Sequence, residues 1–227
     1  MTPVILFVFG TVVGSFLNVV GLRWNAKDFG GRSKCPKCGK TLKWYELIPV
    51  FSFLFLRGKC SKCSGKISWL YPIVEIWTGL IFATVPLIFL PVFCLYIVIT
   101  IYDLHHKIIP DPLVYIAITL SLIYGYENWF VGLLLFSFFA SIWFLSRGRA
   151  MGFGDAKLAL SIGLLLGLSQ GIYALILSFW LGALIGIILM QSKKINITMK
   201  SEIPFAPFLV LGAWLSLIFH FNFLYVV

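Results

Sequence analysis

Acidic residues are scarce in this chain, eight among 227, so the position of each is informative. Asp103 stands where an apolar run ends, in Tyr102-Asp103-Leu104-His105-His106-Lys107-Ile108-Ile109-Pro110-Asp111. Asp155 stands where another begins, in Gly152-Phe153-Gly154-Asp155-Ala156-Lys157. An ionisable group at such a place is costly in a bilayer and tends to face a protein interior or a watery cavity, which makes function the default reading. Two carboxylates held close share a proton, because both cannot readily ionise at short range. The ionised one can take a proton from water while the protonated one donates to a carbonyl oxygen, hydrolysing an amide with neither a metal nor a side-chain nucleophile. The titration then belongs to the pair.

Taken singly, each aspartate has a plainer reading as a helix cap or an interfacial charge, and Asp111, just ahead of an apolar run, has it most strongly. His105 and His106 are adjacent and point in different directions on a helix, so they read as interfacial residues. Lys157 either pairs with a carboxylate or follows the positive-inside rule. The glycines around Phe153 permit unusual backbone angles and close approach of a substrate backbone. Asp155 falls near a helix N-terminus, where the dipole favours the carboxylate. Pro110 and Pro112 break the chain before the next run and fix the helix edge that carries Asp103.

A second set of residues has metal-ligand spacing. Cys35-Pro36-Lys37-Cys38 and Cys60-Ser61-Lys62-Cys63 are two CxxC knuckles in one polar segment, and together they make a tetrahedral thiolate site for Zn²⁺. Gly39 and Gly65, soon after the knuckles, suit the tight backbone of such turns. Lys34, Lys37, Lys59 and Lys62 flank the sulfurs and favour thiolates. With Cys35, Cys38, Cys60 and Cys63 filling all four positions, the metal is structural and supplies folding energy to a segment too short for a core of its own. The alternatives are two disulfides or redox-active dithiols; a cytoplasmic location disfavours the first, and the lack of a βαβ pattern the second. Cys94, inside an apolar run, reads as an ordinary buried thiol.

The elements that position these groups are membrane spans. The chain is 60% hydrophobic and 11% charged, with a mean hydropathy of +1.00, too apolar for a soluble domain of this length. Apolar runs long enough to cross a bilayer recur, and spans are predicted at about 3–22, 71–90, 91–104, 112–125, 129–146, 156–170, 171–191 and 204–226. The first run lacks a basic n-region and a small-x-small cleavage site, so it reads as a retained span. Eleven of the eighteen Lys and Arg residues lie between Arg23 and Lys66, the rest being Lys107, Arg147, Arg149, Lys157, Lys193, Lys194 and Lys200. With eight spans every cluster falls on one face, the cytoplasmic one, and both termini are external. The expected fold is an all-α polytopic membrane protein with a first helix (1–22), a cytoplasmic tetracysteine zinc loop (23–70) and a multi-helix membrane domain (71–227). The net charge of +10 is explained by lipid headgroups and needs no nucleic acid.

Taken together, these segments resemble the type IV prepilin peptidases over nearly the whole chain. Gly14-Ser15-Phe16-Leu17-Asn18-Val19-Val20 with Arg23 is similar to the family's opening motif. The loop from Cys35 through Ile48-Pro49-Val50 and Leu56-Arg57-Gly58-Lys59-Cys60 to Tyr71-Pro72-Ile73-Val74-Glu75 is similar block by block. Asp103 to Asp111 matches the first aspartate motif, Gly152 to Leu158 the GxGD signature, and Ile203-Pro204-Phe205-Ala206-Pro207-Phe208 the motif before the last span. The sequence departs from the pattern at Trp24-Asn25, where proline is common, at Ala206, where glycine is usual, and in a short stretch between the aspartate motifs.

The resemblance implies an intramembrane aspartic endopeptidase of the bacterial cytoplasmic membrane, with Asp103 and Asp155 as the catalytic pair. Its partners would be prepilins or pseudopilins, losing a basic leader after a glycine and before a hydrophobic residue. It also implies N-methylation of the new amino terminus with S-adenosylmethionine, although no glycine-rich nucleotide fold is recognisable. Two other classes stand beside it. A zinc-bearing membrane scaffold would leave GxGD without a purpose. A proton-coupled transporter would place its acids at the midplane rather than at one membrane edge.

Overall fold

Runs of Leu, Ile, Val and Phe give the backbone one way to satisfy its polar groups in an apolar solvent, the helix. The computed structural model describes residues 2–24, 31–191 and 204–219. Its α-helices are α1 (Pro3–Arg23), the short α2 (Phe51–Phe55), α3 (Leu70–Thr84), α4 (Leu90–His106), α5 (Asp111–Tyr124), α6 (Trp129–Ser146), α7 (Phe153–Gln191) and α8 (Ala206–Ile218). Proline occupies one of the first two positions of α1, α4, α5 and α8, where its missing N–H costs no intrahelical bond. Four stretches, Pro3–Arg23, Leu87–His106, Tyr126–Ser146 and Phe153–Gln191, are long and apolar enough to cross a membrane, and α3, α5 and α8 are shorter apolar helices. The protein is therefore an all-α polytopic membrane protein.

The apolar helices correspond in order to the eight runs read from the sequence, with α7 supplying two of them. Their ends differ where local chemistry intervenes. The run expected over 71–90 stops at Thr84, because Val85 precedes a proline and is extended (φ −90°, ψ 139°). The break expected at 170–171 lies instead at Gly167, which adopts φ 74° and ψ −173° inside α7. Asn128 makes that break tolerable: its side-chain amide donates to the Leu164 carbonyl at 3.2 Å, and a Cβ on Gly167 would lie 2.9 Å from its Oδ1. The run expected over 204–226 begins at Ala206; its end, like Lys27, Lys193, Lys194 and Lys200, lies outside the described residues.

The chain divides into two compact units, Met1–Leu87 and Ile88–Val227. In the first, α1 packs along α3 through small residues. A Cβ on Gly10 would meet Phe82 Cβ at 2.6 Å and Gly79 Cα at 2.9 Å, and one on Gly14 would meet Thr78 at 2.8 Å. Such close backbone contact is how helices associate where the solvent is as apolar as their side chains. In the second unit α7 is central, packing on α5, α6 and α8. A hydroxyl relay stitches three of its helices: Ser161 of α7 bonds both Tyr96 of α4 and Ser121 of α5 at 2.8 Å, all of them buried. Replacing Gly10 by Leu should destabilise the first unit by about 1–3 kcal/mol through overpacking, whereas Val12→Leu, on an exposed position of the same helix, should be near neutral; thermal unfolding in detergent reads the difference.

Candidate active site and metal centre

Asp103 sits in the last turn of α4 and Asp155 in the first turn of α7. Both are buried, 4% and 7% exposed, and Asp155 lies close enough to Asp103 to feel its charge. Neither has a cationic partner among the described residues. What meets Asp103 is the start of α8: the Ala206 amide donates to its Oδ2 at 3.2 Å. Helix N-termini present unpaired N–H groups to anions, and Pro207, next in sequence, has no N–H to offer. The segment is held by ring packing, Phe205 lying 5.3 Å from Phe179 and 6.2 Å from Phe139 between ring centroids. Ala206 contributes through its backbone, so the departure from glycine at this position removes no group from the site.

The glycines of Gly152-Phe153-Gly154 do not take the unusual backbone angles expected of them: neither adopts positive φ. Gly154 is needed because a Cβ there would sit 2.8 Å from Ile109 Cβ. Ile109 belongs to the segment that follows Asp103, so this contact seats one aspartate motif directly on the other. A second tie joins them: Lys157 Nζ donates to Asp111 Oδ1 at 2.7 Å. Of the two readings open for Lys157, the structure takes the ion pair, and it is steadied by the rings of Tyr115 and Phe153 at 4.9 and 5.4 Å. Asp111 begins α5 without capping it, and its side chain is 58% exposed. His105 and His106 are exposed, each Nδ1 within hydrogen-bond distance of the carbonyl one turn back.

The four loop cysteines also converge. Their Sγ atoms all lie within 4.8 Å of one another, with Cys35–Cys63 and Cys38–Cys60 each at 3.9 Å. Tetrahedral Zn–S bonds of about 2.3 Å require sulfur separations of about 3.8 Å, so the donor set fits such an ion. The knuckles are near copies. Cys35 and Cys60 donate their amides to Lys40 and Gly65, and antiparallel bridges Lys34–Thr41 and Lys59–Lys66 close the hairpins. The left-handed residue is Gly39 in the first knuckle but Ser64 in the second (φ 67° and 54°), one position before the expected Gly65. Backbone amides of Cys63 and Lys62 draw the Cys60 thiol down to about 6. Cys38, whose bond from the Lys40 amide is outweighed by burial and the other sulfurs, is pushed up to about 11. Cys94, half-buried in α4, is not one of this cluster.

The sequence reading passed over Glu46. Its Oε1 takes Lys40 Nζ at 2.7 Å and Ser61 Oγ at 2.5 Å, and its Oε2 takes the Lys43 amide at 2.8 Å. It therefore clips the first knuckle to the second, and the only signal for it was a lone acid amid lysines. The Lys40 bond first, then the Lys43 and Ser61 bonds, hold its carboxyl down at about 2. A pKa below the unfolded value of about 4.3 means stabilisation that is full above that value and lost as the pH falls toward 2. Glu46→Gln should lower the unfolding temperature at pH 7, and its difference from wild type should close between pH 4 and 2, measured by calorimetry on both proteins.

Residues 8–89 match the family model described as the bacterial Peptidase A24 N-terminal domain, and residues 87–187 match the Type IV leader peptidase family. The two matches meet where the two compact units divide. The chain is similar to a prepilin leader peptidase/N-methyltransferase of Bacillus subtilis, 33% identical over 95% of this chain and 93% of the relative. Proteins of the same description from Pseudomonas putida and Aeromonas hydrophila are each 30% identical, over 93% and 94% of this chain and 88% and 89% of their own. No solved structure matches.

Proposed function

Because the chain belongs to the type IV leader peptidase family, and is thus a protease of the bacterial inner membrane, we propose that Asp103 and Asp155 are its catalytic dyad. The observation that carries this reading is the burial of two carboxylates, Asp155 within reach of the charge of Asp103, with an α8 amide as the polar partner of Asp103. One carboxyl, protonated, donates to the scissile carbonyl oxygen; the other, ionised, deprotonates the attacking water. The Ala206 amide orients Asp103 in the resting pair, and the roles exchange as the tetrahedral intermediate collapses to release the amine. The Lys157–Asp111 pair and the Ile109–Gly154 contact hold the two motifs in register.

The substrates are prepilins or pseudopilins, cut after a glycine at the cytoplasmic face. A substrate's apolar helix lies in the bilayer, which brings the leader junction to the membrane edge at high effective concentration. Glycine at the cut disfavours helix and leaves the amide open to attack. The relatives' description also carries N-methyltransferase activity, and we assign this chain the same second step on the new amino terminus.

The metal is zinc. Cys35, Cys38, Cys60 and Cys63 would hold it, and when bound it fixes the loop's fold with no coordination position left open for catalysis. Cys35→Ser or Cys60→Ser should release the ion and unfold the loop, read as zinc per chain by elemental analysis.

The test of the peptidase is co-expression with a prepilin and intact-mass measurement of the substrate. Wild type should give a leader-sized loss. Asp103→Asn and Asp155→Asn should each slow cleavage by roughly 10²–10⁴-fold while the protein remains inserted. Full processing by either variant would remove the dyad.

A further inference from the structure

Residues 44–56, between the two cysteine hairpins, belong to neither the hairpins nor a span. Of these thirteen, all but Glu46, Pro49 and Ser52 are large and apolar. Crossing a bilayer takes about 20 residues, so an apolar run of this length belongs either in a buried core or at the membrane interface. It is not core. Among its apolar side chains only Phe53 is buried, while Trp44, Leu47, Ile48, Phe51, Leu54 and Phe55 are exposed. Phe51 and Phe55, at 67% and 88%, are more exposed than Phe16, at 65% on the outer face of α1. The run is also continuous in space, since α2 packs on the turn Trp44–Leu47.

Its depth is set by a tie inside the first unit. The Val50 amide, at the start of α2, donates to Glu75 Oε2 of α3 at 2.7 Å, and Ser15 of α1 bonds the same carboxylate. At 1.5 Å of rise per residue, Glu75 lies about 7.5 Å inside the start of α3 at Leu70, and Ser15 about 12 Å inside the end of α1 at Arg23. The start of α2 therefore lies beside these helices, not beyond their ends. Phe53 turns inward, its ring 4.7 Å from that of Trp69 between centroids. Backbone at such depth has to be met by the protein. The Phe51, Ser52 and Leu54 amides reach the carbonyls of Pro49, Ile48 and Val50 at 2.6 to 3.1 Å. Val50 itself, at φ 61° and ψ −52°, is a strained γ-turn on a β-branched residue, held by the Glu75 bond. The charges agree: Glu46, the one acid in the run, is buried and paired with Lys40, and exposed Lys43 and Arg57 bracket the run.

We propose that residues 44–56 are a re-entrant interfacial anchor, and that the lipid of the leaflet bearing the cysteine loop covers their exposed face. Phe51, Leu54 and Phe55 lie among the acyl chains, Trp44 stands at the headgroup level, and Lys43 and Arg57 meet anionic phosphates. An apolar face at the depth of the helices beside it, with no unpaired acid and a cationic rim, has the chemistry of that interface. The hairpins that precede and follow the run are thereby held against the membrane surface instead of standing free of it.

The experiment is photo-crosslinking of the full-length, zinc-loaded protein in vesicles of phosphatidylethanolamine and phosphatidylglycerol, with and without a prepilin. Benzoylphenylalanine replaces, one at a time, Phe55, Val12 on the outer face of α1, or Lys62 on the second hairpin, all exposed. Zinc per chain and unfolding temperature check that each protein is folded. Position 55 should give phospholipid adducts, identified by mass, about as often as position 12 and about tenfold more often than position 62, as befits a side chain within the leaflet. Fragmentation should place the attachment on the acyl chain or glycerol. A lipid yield at position 55 no higher than at position 62 would overturn the proposal. So would adducts at position 55 chiefly to a second copy of the chain or to the prepilin, since the face would then be a protein interface. Glu75→Leu, which removes the acceptor of the Val50 amide, should lower the lipid yield at position 55 and leave position 12 unchanged. Glu75→Gln keeps an acceptor and should preserve both. An unchanged yield in Glu75→Leu would overturn Glu75 as the tie that sets the depth. Adducts form without turnover, so these outcomes are independent of the aspartate dyad.

Discussion

A polar group carried into an apolar bundle is costly unless the protein itself meets it, and much of the second unit is organised around that constraint. Asp103 is met by the first amide of α8, which α8 can offer because the start of a helix leaves its N–H groups unpaired. To bring that amide to the site, Phe205 is wedged against Phe139 and Phe179. A Cβ on Gly212 would run into the Ala174 carbonyl, which shows how closely α8 lies on α7. The same rule accounts for the Tyr96–Ser161–Ser121 relay and for Asn128 at the Gly167 break: each is a polar group whose partner comes from another helix.

The constraint separates the two carboxylate sites by what is missing from them. Lys157 spends its charge on exposed Asp111 rather than on either buried aspartate, leaving the pair free to share a proton. A lysine on Asp155 would fix it as an anion and remove the acid half of the chemistry. Glu75 is likewise left without a cation, but with an amide and a hydroxyl holding it in place beside a cavity. Glu46 shows the opposite arrangement. Fully paired with Lys40 and Ser61, it joins the two cysteine knuckles and has no charge to offer a ligand.

The cysteine loop is built by duplication of a small local form. Each knuckle is a hairpin closed by two backbone contacts, with a left-handed residue just after its second cysteine. In the second knuckle a serine takes that conformation, and the Lys37 side chain crosses from the first knuckle to pass close over Gly65.

The sequence by itself determined the helical class, the order of the apolar runs, the four cysteines as one set and the two aspartates as candidates. These follow from composition and spacing, which are local: a run of apolar residues has to be helical in a bilayer, and CxxC puts two sulfurs on one turn whatever surrounds it. Tertiary structure alone decided that Ala206 meets Asp103, that Lys157 takes Asp111, that Ile109 seats on Gly154, and that Glu46 and Glu75 have opposite fates. It also moved the α7 break to Gly167, because an apolar run does not show where a distant Asn128 will pair with a freed carbonyl. Each of these depends on a partner 6 to 103 residues away in the chain. Residue spacing carries no information about such partners, since helices in an apolar solvent choose their neighbours by close packing and by the few polar groups they must satisfy.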